Sequence, residues 1–125
     1  MQICMTRLFL VVLGVLIPAC ATAQTTGYAS SNGVELYYHT YGEGEPLLVL
    51  NGGPGLSSQH FGALAEQLVA LEPGYRAILF DQRGTGRSAL EETTSETVNV
   101  ALMVEDIEAL REHLGIEEWT VFGHS

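Results

Sequence analysis

The chain carries Gly123-His124-Ser125 directly after a short apolar run, Trp119-Thr120-Val121-Phe122. A serine at the end of a strand, on a strained strand-to-helix turn, presents its hydroxyl above a sheet. These residues fit the first half of a Gly-x-Ser-x-Gly turn, whose chemistry is nucleophilic attack on a carbonyl. Read by itself, the tripeptide divides between that turn and an ordinary loop in which Ser125 caps a helix. A second segment, Asn51-Gly52-Gly53-Pro54-Gly55, follows the apolar run Leu47 to Leu50 and precedes a helical pattern. Two successive glycines let backbone amides point outward, as an oxyanion hole requires; the alternative is a tight turn whose Gly and Pro serve geometry alone. A third, Asp81-Gln82-Arg83-Gly84-Thr85-Gly86-Arg87-Ser88, has the look of a phosphate loop. It lacks the Gly-Lys-Ser/Thr step and does not match Gly-x-Gly-x-x-Gly. Asp81 and the arginines read as scaffolding that ties this loop beneath the site, the alternative being direct substrate contact by Arg83 or Arg87.

The elements that must position these segments follow from periodicity. Thr25 to Ser30 and Val34 to Tyr41 read as a hairpin around Asn32-Gly33, a pair suited to positive φ. Val34, Leu36, Tyr38 and Thr40 alternate with Glu35, Tyr37, His39 and Tyr41, which predicts one buried face. Leu47 to Leu50 and Ala77 to Phe80 are continuous apolar runs, the pattern of strands covered on both sides in a parallel sheet. A helix capped by Ser57 or Ser58 is expected to bury Phe61, Leu64, Leu68 and Leu71, and to end at Pro73-Gly74. A second helix, Val100 to Leu114, is expected to start at the N-cap Asn99 with Val98 and Met103 at staple spacing. It should bury Val100, Val104, Ile107, Leu110 and Leu114, complement its C-terminal dipole with Arg111 and His113, and close at Gly115. Strand, helix, strand, helix, strand predicts an α/β domain with a parallel sheet, led by a hairpin.

Composition narrows the partners. The chain has 125 residues, no lysine and a formal net charge of −10. That balance argues against nucleic acid or an anionic membrane as the main partner. Glu105, Asp106, Glu108 and Glu112 read as a solvated helix face. Arg7, the apolar stretch Leu8 to Ile17, and Ala21-Thr22-Ala23 have the order of a secretory signal. Residues 1–23 are therefore expected to be removed, leaving Gln24 as the first mature residue and 24–125 as the domain. Ile17-Pro18-Ala19-Cys20 also resembles a lipoprotein box, in which case Cys20 is lipidated. The apolar stretch is short for an uncleaved span, so no stable membrane insertion is expected without that lipid. Cleavage after Ala23 removes Cys4 and Cys20, and with them any disulfide, thiol nucleophile or thiolate metal site.

The three loop segments, in this order, resemble the proline iminopeptidase family of α/β-hydrolases. That family shows His-Gly-Gly-Pro-Gly, Asp-Gln-Arg-Gly-x-Gly-Arg-Ser and Gly-x-Ser-x-Gly on successive βα loops, and the resemblance runs from about Val34 to Ser125. Asp106 to Gly115 is similar to the helix that precedes the serine turn there. The resemblance implies an α/β-hydrolase fold, of which this chain is the N-terminal part, with about five of eight strands and its last strand an edge. It implies Ser125 as the nucleophile and the Gly53 amide as one oxyanion donor, no metal or organic cofactor, and a small peptide, amide or ester substrate. Asn51 stands where the family usually has histidine. The triad acid and histidine are expected beyond residue 125, since the order in such enzymes is serine, acid, histidine. The chain by itself is then not expected to turn over substrate. The alternatives are an exported esterase or another α/β-hydrolase, and a non-catalytic α/β binding module or truncated pseudo-enzyme.

Overall fold

A computed structural model describes residues 24–53, 55–71 and 74–123. The expected signal segment with Cys4 and Cys20, and the residues His124 and Ser125, lie outside the described residues. Five strands form one sheet: β1 (Gln24–Ser31), β2 (Val34–Tyr41), β3 (Glu45–Leu50), β4 (Tyr75–Phe80) and β5 (Thr120–Gly123), in the order β1-β2-β4-β3-β5. The hairpin turn carries positive φ at both Asn32 (35°) and Gly33 (80°), the geometry that matches strand twist in a two-residue connection. β1 and β2 are antiparallel, and β2 is antiparallel to β4; β4, β3 and β5 run parallel. The sheet is thus parallel across β4, β3 and β5, as expected, and antiparallel where the leading hairpin docks against β4.

Strand residues alternate between two apolar layers, as the period of two requires. Leu48, Ile78 and Phe80 join Leu36, Tyr38 and Leu110 on one face, with Ile107, Leu114 and Trp119 packed against them. Val49, Ala77 and Leu79 join Ala65 on the other, under Phe61, Leu64, Leu68 and Val69. Helices α1 (Gly62–Val69) and α2 (Val100–His113) therefore cover opposite faces. The first begins as a 3-10 turn, Ser58–Phe61, whose cap is Ser57. It ends at Ala70, so Leu71 falls past the helix and is exposed, contrary to the expected stripe.

The Asn99 side chain caps α2 by accepting from the Leu102 amide at 3.0 Å, and Gly115 follows the helix with φ +65°. Its expected apolar stripe is only half buried. Leu110 is fully enclosed, whereas Val100 and Val104 are 75% and 55% exposed. These two valines line an apolar groove of about 210 Å³ with Leu50, Phe80 and Met103, which no described element fills. β5 is an edge strand, as expected, and shows Val121 and Phe122 to solvent. Two further expectations need correction. β2 is buried on both faces from Leu36 to Thr40, because loop residues cover the side that carries Tyr37 and His39. Asp106 is not solvated with Glu105, Glu108 and Glu112 but fully buried, because Arg83 reaches it from the loop after β4.

Candidate active site

β3, β4 and β5 are parallel, so their carboxyl ends lie on the same side of the sheet. β3 stands between the other two, and its last residue, Leu50, pairs with Gly123 of β5. The glycine loop that starts at Asn51 is therefore flanked by the loop after β4 and by the strand that leads into Gly-His-Ser. Ligands of open α/β sheets bind at this end of the strands. Of the two expected site residues, Gly53 is placed here; Ser125 lies outside the described residues.

The glycine loop is held at three points. Nδ2 of Asn51 donates to the Leu56 carbonyl at 3.0 Å, closing the loop on itself. The Asn51 carbonyl accepts from Nε2 of Gln82 at 2.6 Å, joining it to the β4 loop. Beyond the glycines, the amide and hydroxyl of Ser58 and the hydroxyl of Ser57 donate to Oδ1 of Asp81 at 2.7, 2.8 and 3.1 Å. Gly53 sits at the exposed tip with φ +70°, and Gly55 has φ +97°. Side chains with a Cβ disfavour both angles, so the backbone at the tip needs glycine.

Asp81 is the hub of the β4 loop, as scaffolding and not as a catalytic acid. Its Oδ2 accepts from the Arg87 amide at 2.9 Å. Burial works against its ionisation, but the amides of Arg87 and Ser58 and the two serine hydroxyls hold its pKa below the ordinary value. A Cβ at Gly86 would overlap this carboxylate, which explains the glycine there. Ser88 completes the turn: its hydroxyl donates to the Asp81 carbonyl at 2.6 Å and accepts from the Tyr37 amide at 2.9 Å. Arg83 is committed within the fold, whereas Arg87 is exposed. Arg83 makes two hydrogen bonds to Asp106, at 2.7 and 2.5 Å, and a third to the Thr97 carbonyl at 3.0 Å. The hydrogen-bonded carboxylate raises the pKa of Arg83. Arg87 lies over the Tyr37 ring, 4.5 Å from its centre.

A chain of three groups went unread in the sequence. Nε2 of His39 lies 3.0 Å from the Ser58 hydroxyl, whose own proton goes to Asp81; the hydroxyl of Tyr41 is 3.3 Å from Nδ1. With Ser58 as acceptor, the imidazole proton sits on Nε2. This contains the residue types of a catalytic triad in the wrong order: serine is in the middle, donates to a carboxylate and is buried. It cannot present a nucleophile and fastens β2 beneath the glycine loop. Of the other described histidines, His60 bonds the Ser57 carbonyl and His113 meets the Tyr38 hydroxyl. Sequence could not reveal His39–Ser58–Asp81, because its members come from three separate elements. Among the described residues no cluster of His, Cys, Asp and Glu could hold a metal ion, and no helix is long and apolar enough to cross a membrane.

Residues 45–125 match the family described as alpha/beta hydrolase fold. A proline iminopeptidase from Lactobacillus helveticus is 38% identical over 96 residues, covering 74% of this chain and 32% of that protein. The crystal structure of a proline iminopeptidase-related protein from Thermus thermophilus superposes with a TM-score of 0.70 at 37% identity, over 82% of this chain and 36% of that one. An epoxide hydrolase from an endophytic Streptomyces superposes with a TM-score of 0.71 at 29% identity, over 82% of this chain and 30% of that one. The chain spans about a third of the length of these relatives.

Proposed function

Because the chain belongs to the alpha/beta hydrolase fold family, we propose that it is the N-terminal part of an exported serine hydrolase of the proline iminopeptidase type. The observation that carries this reading is the parallel pairing of β3 with β5 up to Leu50 and Gly123. It brings the start of a glycine loop and the start of a Gly-x-Ser step to neighbouring positions at one end of the sheet. Acyl transfer needs that combination, a nucleophile with amides close enough to take the charge of a tetrahedral intermediate. The likeness to proline iminopeptidases supports the peptidase class within a fold that also hosts an epoxide hydrolase.

In this reading the Ser125 hydroxyl attacks the carbonyl of an N-terminal prolyl amide while a histidine takes its proton. The oxyanion is stabilised by the Gly53 amide and a second donor after the serine. The intermediate collapses, the amine leaves with the proton, and water releases the acyl group by the same steps. The order serine, acid, histidine of such enzymes puts the histidine and its acid later in the chain than Ser125 in this reading. The test uses the full-length gene product. A fluorophosphonate probe should label Ser125, and Ser125→Ala should abolish both labelling and hydrolysis of proline-naphthylamide. Labelling that survives the substitution would overturn the assignment of the nucleophile. Hydrolysis of a short-chain ester but not of the proline amide would overturn the peptidase class and leave an esterase.

A further inference from the structure

Asn51 is buried at the carboxyl end of β3, immediately ahead of the glycines. The loop it begins has two residues, Gly53 and Gly55, in the left-handed region. Glycines are the most conformationally free residues, so such a loop aims an amide only if something outside the glycines fixes it. The Asn51 side chain bridges the loop from its first residue to Leu56, while its carbonyl is anchored to Gln82. Its other side-chain atom is left over: Oδ1 is buried and has no hydrogen-bond partner among the described residues. Buried polar atoms in native proteins are paired or have a use. A leucine would fill similar space with no unpaired oxygen, so packing does not explain an asparagine here.

The geometry points to Asn51 as a positioning residue of the acyl-transfer site. Its Nδ2, bonded to the Leu56 carbonyl, holds the glycine loop so that the Gly53 amide faces the developing oxyanion. This rests on the serine hydrolase reading above. The role needs a donor toward the Leu56 carbonyl, which a neutral carboxamide supplies. An ionised carboxylate offers acceptors only and would face the Leu56 carbonyl with no proton between them. A protonated carboxyl restores one donor and one acceptor. The role therefore has a pH signature that simple space-filling lacks.

The experiment compares kcat and KM of the full-length gene product with those of Asn51→Asp and Asn51→Leu from pH 5 to pH 8, with melting temperature followed in parallel. Misplacing an oxyanion donor costs on the order of 10- to 100-fold in kcat. Asn51→Leu should lose this much at every pH, with KM changed less than about twofold. Asn51→Asp should lose as much at pH 8 and regain activity relative to wild type as pH falls through the pKa of the introduced carboxyl. If Asn51→Leu does not fold, the recovery within the single Asn51→Asp protein still decides the matter. Both variants within about twofold of wild type, or an Asn51→Asp profile parallel to wild type throughout, would overturn the role. Wild type that fails to label at Ser125 would overturn the serine hydrolase reading and this inference together. Labelled wild type with unaffected variants would overturn the inference alone.

Discussion

Asp106→Ala should be among the most destabilising single substitutions in α2. The Arg83 and Asp106 side chains are each 1% exposed. Removing the carboxylate takes away two of the three hydrogen bonds of the guanidinium and leaves its charge enclosed, with only the Thr97 carbonyl as partner. Breaking a buried pair from one side costs about 3–5 kcal/mol, most of it the stranded charge. The chain contains its own control. Arg111 and Glu108 pair at 2.8 Å on the same helix, with the Glu108 side chain 54% exposed. An exposed pair of that kind contributes little, so Glu108→Ala should have a small effect. Urea unfolding of the full-length gene product reads the difference. With an m-value near 2 kcal/mol per molar, Asp106→Ala should lower the midpoint by about 1.5–2.5 M and Glu108→Ala by less than about 0.5 M. The double change Arg83→Met with Asp106→Leu should recover most of the loss, since it removes the charge with its partner. If Asp106→Ala and Glu108→Ala shift the midpoint equally, the stranded-charge argument is wrong. A double variant no better than Asp106→Ala would place the cost in lost shape and not in charge.

Burial holds the His39 pKa below its usual 6.5, against the opposing pull of Asp81 and with the help of Arg87. A group with a depressed folded pKa contributes stability above its unfolded value and loses it as pH falls through the folded one. Wild-type melting temperature should therefore decline below pH 6.5, and His39→Gln should flatten that decline; equal slopes would show that another group takes up the proton. The proposed export predicts that mature protein begins at Gln24. N-terminal sequencing or intact mass decides it: an intact Met1 would refute export by this signal, and a lipidated Cys20 would identify a lipoprotein instead.

The parts of this fold that could be read in the sequence are those set by neighbours along the chain. α2 was bounded correctly because its signals are local: Asn99 before an apolar periodicity, Gly115 after it. The hairpin followed from Asn32-Gly33, and the glycine loop from its place between an apolar run and a helix. What was misread depends on distant partners. Asp106, flanked by Glu105 and Glu108, has the local pattern of solvated surface, and the cation that buries it lies in a loop 23 positions earlier. Tyr37 and His39 occupy alternate positions that look outward until Arg87 and Ser58 cover them. Leu71 continues a helical period that the backbone abandons at Ala70. Around the glycine loop, the bonds of Asn51, Gln82 and Asp81 link separate elements and had no local signal.

The strand order also dictates a sequence of events during synthesis. β2 and β3 follow one another in the chain, yet β4 separates them in the sheet. The hairpin of β1 and β2 has no neighbour to dock on until Tyr75 to Phe80 have emerged, and two-stranded hairpins are marginal in water. β3, made earlier, waits for the same segment. β4 is thus the keystone: it pairs with both β2 and β3, and so joins into one sheet two segments that make no pair with each other.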